Sequence, residues 1–331
     1  MSMLLSRRSL ITAAAAAAVT STGRAQSGPY PNRPLSLVVP YPAGGPSDAA
    51  ARIFAEAIGK DVTQPVIVDN ISGGTGLLGA NKVLSAPADG YTFLHGSPNE
   101  VILAPLLNPS ARYKPTDFKY VQPTTEATIV LLARNGLEAK NLDELIELSR
   151  KNKAPLSYAT VGIDSLYHLM GDAMAKRTGA DLLHVPYKGS APAVQDVAGG
   201  QVDFAILPFQ VIMEGMARQG RLKILTSFSR NLSPTLKNVP KIDASKLLPD
   251  FEYSIGAGYL VRKDVPVEMV DRLRAAVGHA LRQPEVRSRL ENEGRTVLQP
   301  FATQAAADEY QVAELTHYTK LLKEAGRQAA R

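Results

Sequence analysis

Short apolar segments alternate with longer amphipathic segments along most of the chain. The apolar segments have the length of strands, and the amphipathic segments repeat with a helical period. The predicted strands cover 35–39, 65–68, 91–94, 128–133, 156–159, 182–185, 202–207, 222–226 and 253–261. The predicted helices cover 46–58, 100–107, 165–177, 209–219, 266–282, 284–293 and 303–325, with others after the glycines at 73–79, after Asn141 and after Gly189. Strands separated by helices predict an α/β fold with mainly parallel sheets flanked by helices.

The predicted elements fall into two series. The second series begins with the strand 128–133 and with a helix opened by the capping box Asn141-x-x-Glu144. Residues 231–250 contain three prolines and little periodicity, which is typical of a linker that crosses between lobes. After one more strand the chain is predicted to be purely helical, and such a tail must pack on the first lobe. The sequence therefore predicts a hinged two-lobe binding protein (a Venus flytrap), with lobes 26–126 plus 251–331 and 127–250.

The first 25 residues have the pattern of an export signal. Paired Arg7 and Arg8 precede an apolar stretch at 10–19, which is shorter than the roughly 20 residues that span a bilayer. Small residues predict cleavage after Ala25. The arginine pair is typical of a twin-arginine signal, and an ordinary secretory signal fits equally well. Either signal predicts a protein that is free in the periplasm, because no cysteine follows for lipid attachment.

Composition and motifs exclude several classes of protein. Hydrophobic residues make up 45% of the chain and charged residues 21%, which is typical of a folded globular protein. The absence of cysteine excludes disulfides and thiolate chemistry. The net charge of +6 includes no basic run with interleaved aromatic residues, so we expect no nucleic-acid partner. The motifs of serine hydrolases and zinc proteases are missing, and the five histidines lack metal-ligand spacing, so we expect neither catalytic residues nor a metal site.

Two strand–turn–helix loops could bind an anion through free N–H groups at a helix start. In the loop at 40–48, two glycines precede Pro46, which suits the first position of a helix, and Asp48 could reach back to the cap. The loop at 158–165 repeats this pattern, and His168 lies one turn into the helix that follows. The alternatives are that the glycines only permit tight turns and that the histidine is a packing residue.

The glycines at 74–79 match the dinucleotide fingerprint G-x-G-x-x-G. The match is weak, because the loop belongs to the second strand–helix unit and lacks an acidic residue at a strand end about 20 positions on. We therefore expect no cofactor. The alternative is that these glycines let the loop approach the sheet or the cleft closely.

Several blocks of sequence resemble one family. They are 40–48 (PYPAGGPSD), the glycine loop at 73–79, 89–92 (DGYT), 158–168, 185–193 (VPYKGSAPA) and 199–203 (GGQVD). In this order they resemble the substrate-binding proteins of tripartite tricarboxylate transporters, often called Bug receptors, and the likeness runs from about Tyr30 to Arg327. The resemblance implies a periplasmic Venus flytrap that binds a carboxylate mostly through backbone N–H groups and ordered waters, rather than through an arginine.

The resemblance also implies a set of ligand contacts. They are Ala43, Gly44, Gly45, Ser47 and Asp48 in the first lobe and Thr160, Ser165 and His168 in the second, with Ser97 and Tyr187 as weaker candidates. The chain departs from the family at Asp164, where the second-lobe loop of the family commonly has a glycine. We expect Asp164 to cap the helix. The alternative is that it faces the cleft and selects a ligand with a cationic group.

The leading interpretation is a non-enzymatic, monomeric receptor that delivers a carboxylate to the subunits of a membrane permease. The ligand could be a di- or tricarboxylate, an aromatic carboxylate or an amino acid, because backbone donors recognise a carboxylate without specifying the rest of the molecule. One alternative is a sensory protein that docks on the ectodomain of a histidine kinase. Another is a secreted enzyme on the same two-lobe scaffold.

Overall fold

The structure is a computed structural model that describes residues 29–229, 232 and 236–328. The predicted export signal and its cleavage site lie outside the described residues, as does part of the predicted linker. Within the described ranges, no helix combines the length and the apolar character that a membrane span requires.

Ten strands and ten helices are described. The strands are β1 (Leu35–Val39), β2 (Val66–Asn70), β3 (Thr92–Gly96), β4 (Phe118–Arg134), β5 (Leu156–Thr160), β6 (Leu182–Pro186), β7 (Phe204–Pro208), β8 (Leu222–Ser227), β9 (Ser254–Arg262) and β10 (Arg295–Val297). The helices are α1 (Pro46–Val62), α2 (Leu77–Leu84), α3 (Ala104–Leu107), α4 (Leu142–Lys151), α5 (Leu166–Thr178), α6 (Ser190–Ala198), α7 (Val211–Arg218), α8 (Val267–Arg282), α9 (Pro284–Asn292) and α10 (Gln304–Glu324).

The strands form two half-sheets that meet at β4. The first half-sheet has the order β2-β1-β3-β9-β4, with β10 also on β4, and the second has the order β4-β7-β5-β6, with β8 also on β4. The pairs of β1 with β2 and β3, and of β5 with β6 and β7, are parallel. All pairs that involve β4 or β9 are antiparallel. The two-lobe α/β fold is therefore as predicted, but each half-sheet is mixed, with its antiparallel strands next to the junction.

The strand β4 carries the chain from one half-sheet to the other. Its residues up to Thr128 pair with β9, and its residues from Ile129 pair with β7. The sequence predicts only 128–133 as a strand, because the earlier part is polar and contains Pro123. The register of β4 against β9 shifts beside Pro123, and such an irregularity allows a proline within a sheet. This first crossing between the half-sheets is thus a continuous strand.

The C-terminal part of the chain is not purely helical, so that prediction is wrong. The short strand β10 pairs with β4 at residues 125–127. Apolar side chains of α8 and α9, such as Leu273 and Leu290, belong to the same buried core cluster as Phe54 of α1. This return of the chain places Arg295, the first residue of β10, beside the junction of the half-sheets.

Candidate functional site

A cavity lies between the half-sheets, at the carboxyl ends of their parallel strands. The enclosed volume of the cavity is about 60 Å³, and the empty space including its open mouth is about 640 Å³. The β1–α1 loop and the first turn of α1 line it on one side, and the β6–α6 loop and the first turn of α6 line it on the other. Residues of β4 and β9 lie between them. Two helix starts therefore face one cavity from opposite half-sheets.

The start of α1 has no side-chain cap. Its N-cap residue is Gly45, and Pro46 occupies the first helical position, as predicted. Of the candidates in this loop, Ala43, Gly45 and Ser47 line the cavity. The first-turn N–H groups of α1 therefore lack a side-chain acceptor and lie beside the cavity.

Two further candidates in this loop, Gly44 and Asp48, do not line the cavity. The N–H of Gly44 donates to the Asp48 carboxylate at 2.9 Å, and Arg52 forms an ion pair with the same carboxylate at 3.0 Å. Burial raises the pKa of Asp48, but hydrogen bonds from Arg52, Gly44 and Asn70 outweigh burial and lower it. Asp48 is therefore an ionised group that fixes the loop from behind.

The start of α6 faces the cavity from the second half-sheet. Gly189 is its N-cap residue, with extended backbone and no side-chain cap, and Gly189 to Pro192 line the cavity. A Cβ atom on Gly189 would lie 3.3 Å from the ring of Pro42, so glycine lets the two loops approach closely. The only residue of this loop among the predicted contacts is Tyr187, a weaker candidate, although a strand, a glycine and a helix with an early proline are the same signal as in the β1–α1 loop.

None of the three contacts that the resemblance implies at the start of α5 lines the cavity. Ser165 is the N-cap residue of α5, and the Ser165 hydroxyl accepts from the N–H of His168 at 3.3 Å. The N–H of Leu166 donates to Asn99 Oδ1 at 2.8 Å. These donors of α5 are therefore already satisfied within the protein. Residues next to the candidates, Val161 and Tyr167, line the cavity instead.

The remaining second-lobe candidates also have partners inside the protein. Thr160 Oγ1 lies 2.7 Å from His184 Nε2. The ring of His168 stacks on the ring of His184, with centroids 3.8 Å apart, and burial lowers the pKa of His168. The hydroxyl of Tyr187 donates to Asp196 at 2.6 Å. None of Thr160, His168 and Tyr187 lines the cavity.

Asp164 neither caps α5 nor lines the cavity. It precedes the N-cap residue and has a left-handed backbone conformation, with a φ of 59°. Its backbone N–H donates to His168 Nδ1 at 3.0 Å, and its carboxylate lies 3.8 Å from the guanidinium of Arg327. The prediction that Asp164 caps the helix is therefore wrong, because the positive φ shifts the capping position to Ser165.

A buried carboxyl group lies behind the first-lobe wall of the cavity. Ser97, a weaker candidate, lines the cavity together with Tyr41 and Asn99. The Ser97 hydroxyl and the Tyr41 hydroxyl donate to Glu100 Oε2 at 2.9 and 3.0 Å. Burial of Glu100, which is 0% exposed, raises its pKa to about 7. The glycine loop packs on this group, since a Cβ atom on Gly76 would lie 2.7 Å from Glu100 Cβ.

Direct contacts join the lobes around the cavity. Thr75 Oγ1 donates to the carbonyl oxygen of Ile163 at 2.9 Å, and Asn99 accepts from Leu166 as described above. A Cβ atom on Gly162 would lie 2.6 Å from Thr75 Oγ1. The structure therefore shows the two lobes in contact, with the cavity between them. The described residues include no group of three His, Asp or Glu side chains that could hold a metal ion.

Glu100→Gln should change how stability depends on pH. A carboxyl group with a folded pKa of about 7, raised from 4.5, stabilises the fold fully below pH 4.5, and this stability is lost as pH rises through 7. Glutamine keeps the shape and cannot ionise, so the variant should gain up to about 3 kcal/mol over the wild type at high pH. Denaturant unfolding from about pH 5 to pH 8 measures this difference.

Glu314 has a pKa of about 7 as well, but it is present in both proteins and cancels in the comparison. A free-energy difference between variant and wild type that stays constant over this pH range would show that Glu100 is already ionised.

The chain is similar to known binding proteins over most of its length. A model of the tripartite tricarboxylate transporter family receptor matches residues 50–326. Protein BugT of Bordetella pertussis is 31% identical over 279 residues, which cover 84% of this chain and 82% of BugT. The solved structure of R. palustris Rpa4515 with adipate has a TM-score of 0.83 and 28% identity, and covers 90% of this chain and 99% of that chain. The structure of MatC from Rhodopseudomonas palustris with bound malate has a TM-score of 0.80 and 28% identity. The match covers 88% of this chain and 100% of MatC.

These findings confirm the family resemblance of the sequence. The family model covers more than half of the chain and describes a receptor, and the similar solved structures hold bound small molecules. The chain therefore belongs to the tripartite tricarboxylate transporter receptor family and is a ligand-binding receptor, not an enzyme.

Proposed function

We propose that this receptor is exported to the periplasm, captures a small carboxylate in the cavity between its lobes and delivers it to a tripartite tricarboxylate-type permease. One observation carries the proposal. The uncapped starts of α1 and α6 face a single cavity from opposite lobes. Each start presents free backbone N–H groups and the positive end of a helix dipole, which together favour an anion.

The chemistry of similar proteins supports the same ligand class. Rpa4515 holds adipate and MatC holds malate, and both resemble this chain over at least 88% of its length. Backbone donors can hold a carboxylate without a dedicated side chain. We assign the contacts to Gly45 and Ser47 at α1 and to Gly189, Ser190 and Ala191 at α6. Ala43 and Ser97 complete the wall on the side of α1.

The lobe division that we propose follows the crossings of the chain. Lobe one comprises 26–126 and 251–331, and lobe two comprises 127–250. Both boundaries lie beside the pair of Thr128 with Ser254, where β4 and β9 meet at the junction of the half-sheets. Ala127 and Ile255, next to this pair, line the cavity. A ligand would therefore contact the hinge as well as both lobes.

Calorimetry with malate, adipate, a monocarboxylate and an amino acid tests the proposal. We expect stoichiometric binding of at least one carboxylate, and mass spectrometry should recover it unchanged after denaturation. Small-angle scattering should show a more compact particle with the ligand than without it. Failure of every carboxylate to bind, or conversion of the ligand to a product, would contradict the proposal.

Ser190→Pro should weaken binding more than Ser190→Ala. Ser190 occupies the first position of α6, where proline is well tolerated, so this change removes a backbone N–H without breaking the helix. Alanine keeps the N–H and removes only the hydroxyl. We expect about a tenfold loss of affinity for proline, from one charge-assisted hydrogen bond, and little loss for alanine. Calorimetry measures the affinity of both variants for the ligand. Equal losses of affinity would contradict the role of the Ser190 N–H as a donor to the ligand.

Thr75→Ala should weaken binding by destabilising the state in which the lobes touch. Its hydroxyl makes an interlobe hydrogen bond but does not line the cavity. Loss of one such bond should reduce affinity by roughly two- to tenfold. Thr63→Ala is the matched control, because Thr63 also has a left-handed backbone, with φ of 53° against 55° for Thr75, and lies at the far end of α1. Equal affinities of the two variants would show that this contact does not stabilise the bound state.

A further inference from the structure

Arg295 lines the cavity from the first lobe. It begins β10, and its pairing with Ala127 of β4 places it on the cavity floor. Only 5% of the residue is exposed. A guanidinium group is thus buried at the position where the proposed ligand would lie.

The hydrogen bonds of Arg295 go to neutral oxygens. Nη1 donates to Thr125 Oγ1 at 3.2 Å, and Nη2 donates to the carbonyl oxygen of Pro46 at 2.5 Å. No Asp or Glu of the described part of the chain forms an ion pair with it. Arg274, which is 6% exposed, shows the usual arrangement, because it pairs with Asp271 at 2.7 Å. Arg295 therefore differs from a buried arginine that only supports the fold.

The field of the Glu293 carboxylate reaches Arg295 and raises its pKa, against burial, which lowers it. Among the described residues, however, Glu293 forms no ion pair with Arg295, and the groups next to Arg295 add positive charge. Pro46 is the first residue of α1, so the guanidinium lies at the positive end of the helix dipole. The carboxylate of Asp48 in the same turn is engaged by Arg52. His95 carries no charge near neutral pH, because burial, and secondly the field of Arg295, lower its pKa to about 3. Two sources of positive potential therefore meet at the cavity wall, and no carboxylate of the described residues forms an ion pair with Arg295 there.

A buried and unpaired charge is costly to a folded protein, and the group usually gains a partner or shifts its pKa. Burial lowers the pKa of Arg295, although guanidinium stays protonated in proteins. The carboxylate that the fold does not supply can come from the ligand, since guanidinium and carboxylate match in charge and in planar, bidentate geometry.

We propose that Arg295 is a specificity-determining residue that forms an ion pair with one carboxylate of the ligand, held against the start of α1. This inference rests on the proposed function of the cavity. It departs from the expectation, drawn from the resemblance, that no arginine takes part. Since the start of α6 faces the same cavity, a ligand with two carboxylates fits both positive ends better than a monocarboxylate does.

The test compares wild type, Arg295→Gln, Arg295→Met and Arg274→Gln by calorimetry with malate, adipate and a monocarboxylate. Removing one partner of a buried charge pair should weaken dicarboxylate binding by at least about 30-fold in both Arg295 variants. Arg274→Gln removes a buried guanidinium outside the cavity, so its affinity should stay within about twofold of wild type. Two Arg295 variants are used because glutamine keeps some hydrogen bonds and methionine fills the space without charge.

A second readout separates ligand binding from a structural role. In an Arg295→Ala variant, low and non-denaturing guanidinium chloride should partly restore binding, whereas the same concentration of sodium chloride should not. Folded Arg295 variants that bind dicarboxylates as wild type does would overturn the inference and leave the proposed function intact. Wild-type protein that binds no carboxylate would overturn both.

Discussion

The continuous strand β4 is the constraint on which the two-lobe arrangement depends. It pairs with β9 as far as Thr128 and with β7 from Ile129, so both half-sheets share one backbone ladder. The same strand supplies Ala127 to the cavity floor, and its pairing with β10 brings Arg295 there. A register shift of one residue would turn alternate side chains of β4 to the opposite face and would remove these groups from the cavity. The link between the half-sheets and the floor of the cavity are thus the same piece of backbone.

The predicted parts of the fold are those with local signals. The helix predicted at 266–282 is α8 at Val267–Arg282, and the helix predicted after Asn141 begins with that residue as its cap. Helical periodicity and capping are set by neighbours in sequence, so one segment suffices to find them. The first part of β4 and all of β10 have no such signal. They are strands because of pairing with distant segments, and β10 has only three residues.

The residues of the site could also be predicted from the sequence only where a local pattern marks them. The start of α1 was predicted from its strand, glycines and Pro46, and it lines the cavity. The starts of α5 and α6 have comparable local patterns, and the resemblance implies contacts at α5, with only the weaker candidate Tyr187 before α6. The two helix starts differ in a contact with the other lobe, because the N–H of Leu166 in α5 donates to Asn99 Oδ1. No sequence pattern within either loop indicates this contact. Arg295 could not be found either, because a single arginine in a short unpredicted strand resembles any surface arginine.

The cavity brings together groups that folding leaves without a partner, although unpartnered groups also occur elsewhere in the described residues. Away from the cavity, α4, α5 and α10 have side-chain caps and the buried Arg274 has a carboxylate, whereas the starts of α2, α8 and α9 also lack a side-chain cap. At the cavity, two helix starts lack side-chain caps, and the guanidinium of Arg295 has no ion-pair partner in the part of the chain that the structure describes. Each of these unpartnered groups at the cavity lowers the stability of the ligand-free protein. All of them are sources of positive electrostatic potential. A single anion can satisfy them together only when both lobes surround it. In this structure the two helix starts already line one cavity, since the loop before α6 closely approaches Pro42. On the proposed function, closure of the lobes and recognition of the ligand are therefore one event.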